Sequence, residues 1–396
     1  MPDERPSFLM QHLRPRNFLS FGPDDPGIEL RALNLFIGPN GSGKSNLVEA
    51  INLMRFAPRD FRDVTRKGGG VAEWIWKGRS DDPASVECVF RHPERSLPLR
   101  HGISFRPVAQ AFALEGERIE DVAPRDGTSP QVPTHYGYVR GREVLISVRG
   151  ATRQWAADML EPDRSILAQR RDPDTYPELA WLAQTYERIR IYREWGFGRG
   201  AVFREPQKAD LRSDLLEEDF SNLGLFLSRL KRRSPAAKKA VLDGLKDLYE
   251  EINDFDVSVE GGTVQVFFTE GDYSIPATRL SDGTLRYLCL LAILCDPEPP
   301  PLVCIEEPEL GLHPDVMPKI ADLLVAASQR MQLLVTTHSD ILVDAMTERP
   351  EVVVVCEKHD GRTSMERLNR EALVDWLDRY RLGQLWTKGQ IGGTRW

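Results

Sequence analysis

The run Gly38-Pro39-Asn40-Gly41-Ser42-Gly43-Lys44-Ser45 combines glycines, a lysine and a hydroxyl at a spacing that suits a polyphosphate. Glycines let successive backbone N–H groups turn inward onto an anion, and a helix that starts just after them adds its positive end. At this spacing Lys44 reaches β- and γ-phosphate oxygens and Ser45 offers its hydroxyl to Mg²⁺. With Asn46 added, residues 38–46 form the predicted nucleotide-binding run. The chemistry implied is the binding of a nucleoside triphosphate.

Three later stretches carry the groups that hydrolysis would need. Leu280-Ser281-Asp282-Gly283-Thr284-Leu285-Arg286 puts a serine and a glycine at the predicted start of a helix, a second anion-attracting position. Residues 301–305 read as a short buried strand that ends in Glu306-Glu307-Pro308-Glu309, and carboxylates at the end of a parallel strand face a ligand crevice. If the strand continues, Glu306 and Glu307 point to opposite sides, so one can face a metal and the other water. Residues 332–337 read as another buried strand, which delivers His338 just before a helix start at Ser339-Asp340. Phosphoryl transfer needs little covalent help: a metal clamp, a water-orienting carboxylate and cationic or N–H donors suffice. His12, His92, His101, His135, His313 and His359 have no comparable context.

These groups need elements to position them. Leu33, Leu35, Phe36 and Ile37 form a strand-like run before the glycine loop, and Leu47, Val48, Ala50, Ile51 and Leu53 recur at helical spacing after it. A helical run through Tyr287, Leu288, Leu290, Leu291, Ile293 and Leu294 follows Ser281. Together the motifs resemble the ABC-type ATPase heads of the RecF, SMC and OLD branch, and most closely the stand-alone bacterial AAA-family ATPases of that branch. The resemblance covers the two ends of the chain, residues 13–54 and 275–355. It implies an α/β P-loop NTPase fold with a mixed-sheet lobe and a parallel-sheet lobe.

On that resemblance residues 38–45 are a Walker A motif, and 280–286 match the ABC signature, whose Ser281 and Gly283 meet the γ-phosphate held by a second subunit. A homodimer with composite ATP sites is therefore expected. The match makes Glu306 the Walker B acid on Mg²⁺, Glu307 the general base, His338 the switch histidine, and Glu309-Leu310-Gly311-Leu312-His313-Pro314 the D-loop. Lys44, Glu307 and His338 are the expected catalytic set, with ATP and Mg²⁺ as cofactors. Asp282 departs from the glycine common in transporter signatures. Gln110 is a candidate Q-loop residue that the pattern does not fix, and Arg16 and Phe18 are candidates for the nucleotide base.

Three segments are expected along the chain: 1–175, an N-terminal ATPase lobe; 176–253, a compact helical insertion; and 254–396, a C-terminal ATPase lobe. Residues 14–35 read as strands about a turn at 22–27, and Trp74 and Trp76 are at strand spacing. Stretches 86–90, 101–105, 111–115 and 143–148 suggest an antiparallel sheet, and 124–133 a surface loop. Leu179, Leu182, Ala183, Tyr186, Ile189 and Ile191 form one helical stripe. Leu215, Leu216, Phe220, Leu223, Phe226, Leu227 and Leu230 form another. Gly196, Gly198, Gly200, Pro206 and Pro235 break this region, so no long coiled coil is expected there. Hairpin turns are expected at Gly261-Gly262 and Gly271-Asp272, and the tail at 382–389 is expected to dock or to pack on its own domain.

The formal net charge is −8, which argues against a generally nucleic-acid-binding surface. Two basic stretches still raise DNA contact: Arg188, Arg190, Arg193, Arg199 and Arg204, then Arg229, Lys231, Arg232, Arg233, Lys238 and Lys239. Five dispersed cysteines without paired spacing read as core residues of a reducing compartment. No apolar run approaches a bilayer span and the N-terminus lacks a leader pattern, so the chain is expected to be cytoplasmic and to have no membrane partner. The resemblance points to an ATP-hydrolysing switch in bacterial antiviral defence or DNA repair, acting on DNA or on an effector protein encoded nearby. No Toprim nuclease domain is expected. The alternative is a slow nucleotide-sensing scaffold that controls an effector.

Overall fold

A computed structural model describes residues 9–393 except 79–80, 125–130, 143, 156–159, 162, 197 and 199. The chain forms two compact units: Met1–Ile189 with Glu351–Asn369 and Gly389–Trp396, and Arg190–Pro350 with Arg370–Lys388. This division does not follow the three consecutive segments expected from sequence, because the chain returns to the first unit after residue 350.

The first unit is built on an eight-stranded antiparallel sheet whose edges are Ile28–Glu29, beside Met10–Arg16, and Ala151–Trp155. Strict alternation makes it one-sided: Ala84, Val86, Cys88 and Phe90 are buried along one strand, and Leu99, His101, Ile103 and Phe105 along its neighbour. Helix Pro177–Arg188 is amphipathic, with Leu179, Leu182, Ala183 and Tyr186 buried; Phe90 meets Tyr186 edge-on at 5.2 Å. A smaller set of strands holds the glycine loop. Leu33–Ile37, buried at every position, pairs in parallel with Val353–His359, which pairs antiparallel with Arg362–Arg367.

The second unit stacks three parallel strands, Arg190–Tyr192, Leu302–Glu306 and Gln332–Thr336. Beside them lie Gln207–Lys208, Ile252–Glu260, Thr263–Glu270 and Tyr273–Pro276 as an antiparallel sheet, with the turns at 261–262 and 271–272 where the glycines predict them. Helices Leu223–Arg233 and Pro235–Lys246 meet at Ser234, which ends the first and caps the second by accepting the Ala237 N–H at 3.1 Å. Pro235 therefore separates the two helices, as expected, and takes the first position of the second. Among the described residues the longest helix, Asp282–Leu294, has 13 residues, too short for an extended coiled coil.

Several local expectations are corrected. Ile191 lies on a strand, not in the helical stripe: the helix stops at Arg188, and Arg190–Tyr192 pair with Val303–Ile305. In the second stripe the helix begins only at Leu223, since Phe220 turns the chain with φ 61°. Trp74 belongs to a 3-10 turn, Val71–Trp74, and only Ile75 bridges to Phe18. The loop expected at 124–133 and the first residue of 143–148 fall partly outside the described residues.

Candidate functional site: a phosphate loop and a carboxylate–histidine pair

In the first unit the strand Leu33–Ile37 feeds the loop and helix Lys44–Arg55 leaves it. The loop's glycines are needed sterically. Gly41 and Gly43 have φ of 80° and 103°, Gly38 lies at 145°, and a Cβ on Gly38 would overlap the Cys356 carbonyl. Lys44 is 6% exposed and its Nζ donates to the carbonyls of Gly38 at 2.8 Å and Pro39 at 3.2 Å. The ammonium thus closes the loop on itself. Asn40, Gly41 and Ser45 are exposed, while Ser42 is buried with its hydroxyl lacking a partner among the described residues. A buried, unpaired hydroxyl in a glycine-rich loop fits a phosphate oxygen.

Sequence reasoning missed what clamps this loop. Thr363 on strand Arg362–Arg367 lies 2.9 Å from the Ser42 carbonyl and 2.7 Å from Ser20 Oγ; Asn46 Nδ2 donates to Ser20 Oγ at 2.7 Å. A hydroxyl carries one proton, and the carbonyl can only accept, so the order is Asn46 to Ser20 to Thr363 to Ser42. A Cβ on Gly43 would overlap Thr363, so this glycine makes room for the clamp. Asn46 and Ser20 also line a cleft of about 400 Å³ with Trp76, Lys358 and Asp360. Burial raises the Cys356 thiol to about 12, so it is an inert wall residue. Phe18 is fully buried against Trp74 and Phe105, which makes it core rather than a base platform, and Gln110 sits at φ 66° in the turn between strands Leu99–Val108 and Ala111–Asp121.

In the second unit Glu306 ends its strand and Glu307 leaves it with φ 50°, a conformation that costs a non-glycine residue energy and clusters at working sites. The Glu307 N–H still bonds to the Thr336 carbonyl at 2.9 Å, and its Oε1 lies 3.6 Å from His338 Nε2. Glu306 lies 3.4 Å from Arg193 Nε, and its backbone carbonyl accepts Trp195 Nε1–H at 2.7 Å. Glu309 Oε1 accepts the His338 backbone N–H at 2.6 Å. Each unit offers an oxygen donor of the hard kind that Mg²⁺ prefers, the Ser45 hydroxyl in the first and the Glu306 carboxylate in the second.

Ser281 caps helix Asp282–Leu294, its Oγ accepting the Thr284 N–H at 3.1 Å, and it is exposed with Asp282. Arg204 holds this turn from beneath, bonding the carbonyls of Thr278 at 2.7 Å and Leu280 at 3.0 Å and the Asp282 carboxylate. A Cβ on Gly283 would stand 3.2 Å from the Gly311 carbonyl, so a glycine lets the signature turn approach the D-loop segment.

Several side chains of the basic stretches are buried or paired with acids. Arg190 is 6% exposed, and Arg193 and Arg204 serve the site just described. Lys231 pairs with Asp256, Arg229 and Arg233 with Glu298, Lys238 with Asp254 and Lys239 with Asp243. Arg199 lies outside the described residues. In the tail helix Leu382–Thr387, Leu382 and Leu385 are fully buried, and Gln384 N–H reaches Asp344 at 3.2 Å; Trp386 packs on its own unit. All five cysteines are buried, and no disulfide joins them. Among the described residues no helix is long and apolar enough to cross a membrane.

Comparison with known proteins follows the same lines. A family profile described as "AAA domain, putative AbiEii toxin, Type IV TA system" matches residues 141–344, and an "AAA domain" profile matches 12–125. The DNA double-strand break repair Rad50 ATPase of Thermoplasma volcanium is 30% identical over 120 residues, covering 30% of this chain and 12% of the relative. The structural maintenance of chromosomes protein 5 of Schizosaccharomyces pombe is 24% identical over 294 residues, covering 56% of this chain and 27% of the relative. The alignments thus span about a quarter or less of these curated relatives. Among solved structures, an Smc head bound to the C-winged helix domain of ScpA matches with TM-score 0.56 at 15% identity, over 93% of this chain and 99% of that one. An Smc head with an extended coiled coil bound to the C-terminal domain of ScpA, from Pyrococcus furiosus, matches with TM-score 0.56 at 14% identity, over 93% and 98%. With its glycine loop on this architecture, the chain belongs to the AAA-domain family first named, and its fold is that of Smc head domains.

Proposed function

We propose that this chain is an ATP-hydrolysing switch in which two copies close on two ATP molecules and part on hydrolysis. The change would be read by DNA or by a separate effector protein, in antiviral defence or DNA repair. The observation that carries this reading is the pairing of Glu307 with His338 at 3.6 Å on a strained backbone, in a chain that also holds a complete phosphate loop.

The residues divide the work as follows. Lys44 and the loop N–H groups of 38–46 hold the phosphates, with Lys44 exchanging its two carbonyl partners for phosphate oxygens. Ser45 and Glu306 are the oxygen donors for Mg²⁺, which when bound neutralises phosphate charge. Glu307 takes the proton of the attacking water, and His338 donates to a γ-phosphate oxygen. Ser281 and Gly283 of a second copy would meet that same phosphate, which makes the homodimer the working form. The slow sensor scaffold remains a second reading because Arg193 stands 3.4 Å from Glu306, where it competes with a cation for the carboxylate.

Steady-state ATP turnover by the wild type and Glu307→Gln, with and without double-stranded DNA at stated salt, tests the proposal. Turnover that the substitution abolishes supports the switch, and stimulation by DNA makes DNA the reader. Turnover unaffected by Glu307→Gln overturns the assignment of the base. Low turnover indifferent to DNA favours the scaffold.

A further inference from the structure

We propose that Glu309 is a positioning residue that fixes His338 against Glu307. This deepens the ATPase reading and rests on it for its kinetic consequence, though not for the contact itself. Glu309 follows the strand Leu302–Glu306, and His338 follows the neighbouring strand Gln332–Thr336. After the last paired residues, Glu306 and Thr336, the two chain segments are tied at two further points. One is the Glu307 N–H on the Thr336 carbonyl at 2.9 Å; the other is the His338 N–H on Glu309 Oε1 at 2.6 Å.

The second tie is short and charge-assisted, and it uses a side chain where the ladder has ended. Its neighbours cannot replace it. Leu310 has no acceptor in its exposed side chain, and the Pro308 ring has none. On the far side, Ser339 caps helix Asp340–Asp344 through the Leu342 N–H at 3.2 Å, so His338 is held from both directions. The imidazole is thereby left 3.6 Å from Glu307. Burial raises the Glu309 carboxyl above its usual range, while the N–H from His338 works the other way. A third acid beside Glu306 and Glu307 could be mistaken for another base. Its oxygen is instead committed to an amide.

The test compares Glu309→Gln, which keeps an acceptor oxygen, with Glu309→Ala, which does not, in the full chain. Glu309→Gln is expected within about threefold of wild-type kcat. Glu309→Ala is expected to lose about 10- to 100-fold in kcat with KM for ATP nearly unchanged, the scale of a small misplacement of a working group. The contact is read separately by NMR of nucleotide-free, ¹⁵N-histidine-labelled protein. The His338 amide resonance, identified by its loss in His338→Gln, is expected at low field and moves upfield in Glu309→Ala. Should the alanine variant fail to fold, Glu309→Leu, which keeps bulk without an acceptor, replaces it. Wild-type kcat in the acceptor-free variant, an unmoved His338 amide, or a loss in Glu309→Gln as large as in Glu309→Ala overturns the proposal. Absence of any wild-type turnover overturns the ATPase reading instead, and the amide resonance then decides the Glu309 contact alone.

Discussion

Glu307 and His338 face one another across 3.6 Å, carried by neighbouring parallel strands and held there by backbone rather than by each other. At that separation the two side chains do not share a hydrogen bond. Glu307→Gln is expected to lower kcat by about 10²- to 10⁴-fold, the range of a lost general base, while ATP binding persists. Size-exclusion chromatography with light scattering should then find an ATP-trapped dimer. A variant that binds ATP but stays monomeric removes the composite-site scheme.

Ser281→Arg puts a bulky cation on the exposed start of helix Asp282–Leu294. Turnover is expected to vanish while binding of a fluorescent ATP analogue is nearly intact. The cap is lost as well, so the melting temperature should fall by the equivalent of about 1 kcal/mol. Ser281→Thr keeps the cap and separates the two effects.

Thr363→Val leaves the buried Ser42 carbonyl without its donor, a loss of about 1–3 kcal/mol. The expected outcome is about tenfold weaker ATP binding, measured by calorimetry, and a lower melting temperature. Thr363→Ser preserves the hydroxyl and should stay within about threefold of wild type.

Asp25 gives a pH dependence whose sign is fixed. Burial raises its carboxyl above 3.8, against the opposing N–H of Gly27 and the charges of Arg16 and Arg14. The folded state therefore holds the proton longer than the unfolded chain, and this group's contribution to stability declines as pH rises from 3.8 through the folded value. Asp25→Asn keeps an acceptor for Gly27 and does not titrate. Its stability relative to wild type should rise between about pH 4 and pH 7, in urea melts at matched ionic strength.

What could be read from the chain alone follows from how far apart the partners lie. The glycine loop is legible because backbone conformation constrains Gly38, Gly41 and Gly43 locally. The buried runs at 302–305 and 333–335 are legible because a strand covered on both faces is apolar along its centre. Arg190–Tyr192 was not, since three buried residues after a helix continue its stripe as well as they begin a strand. The ion pairs of the basic stretches are only partly legible for a related reason. Lys239 meets Asp243 four residues on, but Asp256 and Glu298 come 25 and 65 residues after Lys231 and Arg233. Glu309 and Thr363 have no local signature at all; each matters only through a backbone group on a distant segment.

The Thr363 clamp has a consequence for the newborn chain. The hydroxyl that steadies the Ser42 carbonyl lies 321 residues downstream of it. A ribosome that has just released the glycine loop must still make most of the protein before that loop can take its final shape. Nucleotide affinity should thus be acquired late and abruptly during synthesis, and stalled chains ending before Thr363 should display an intact motif that grips ATP poorly.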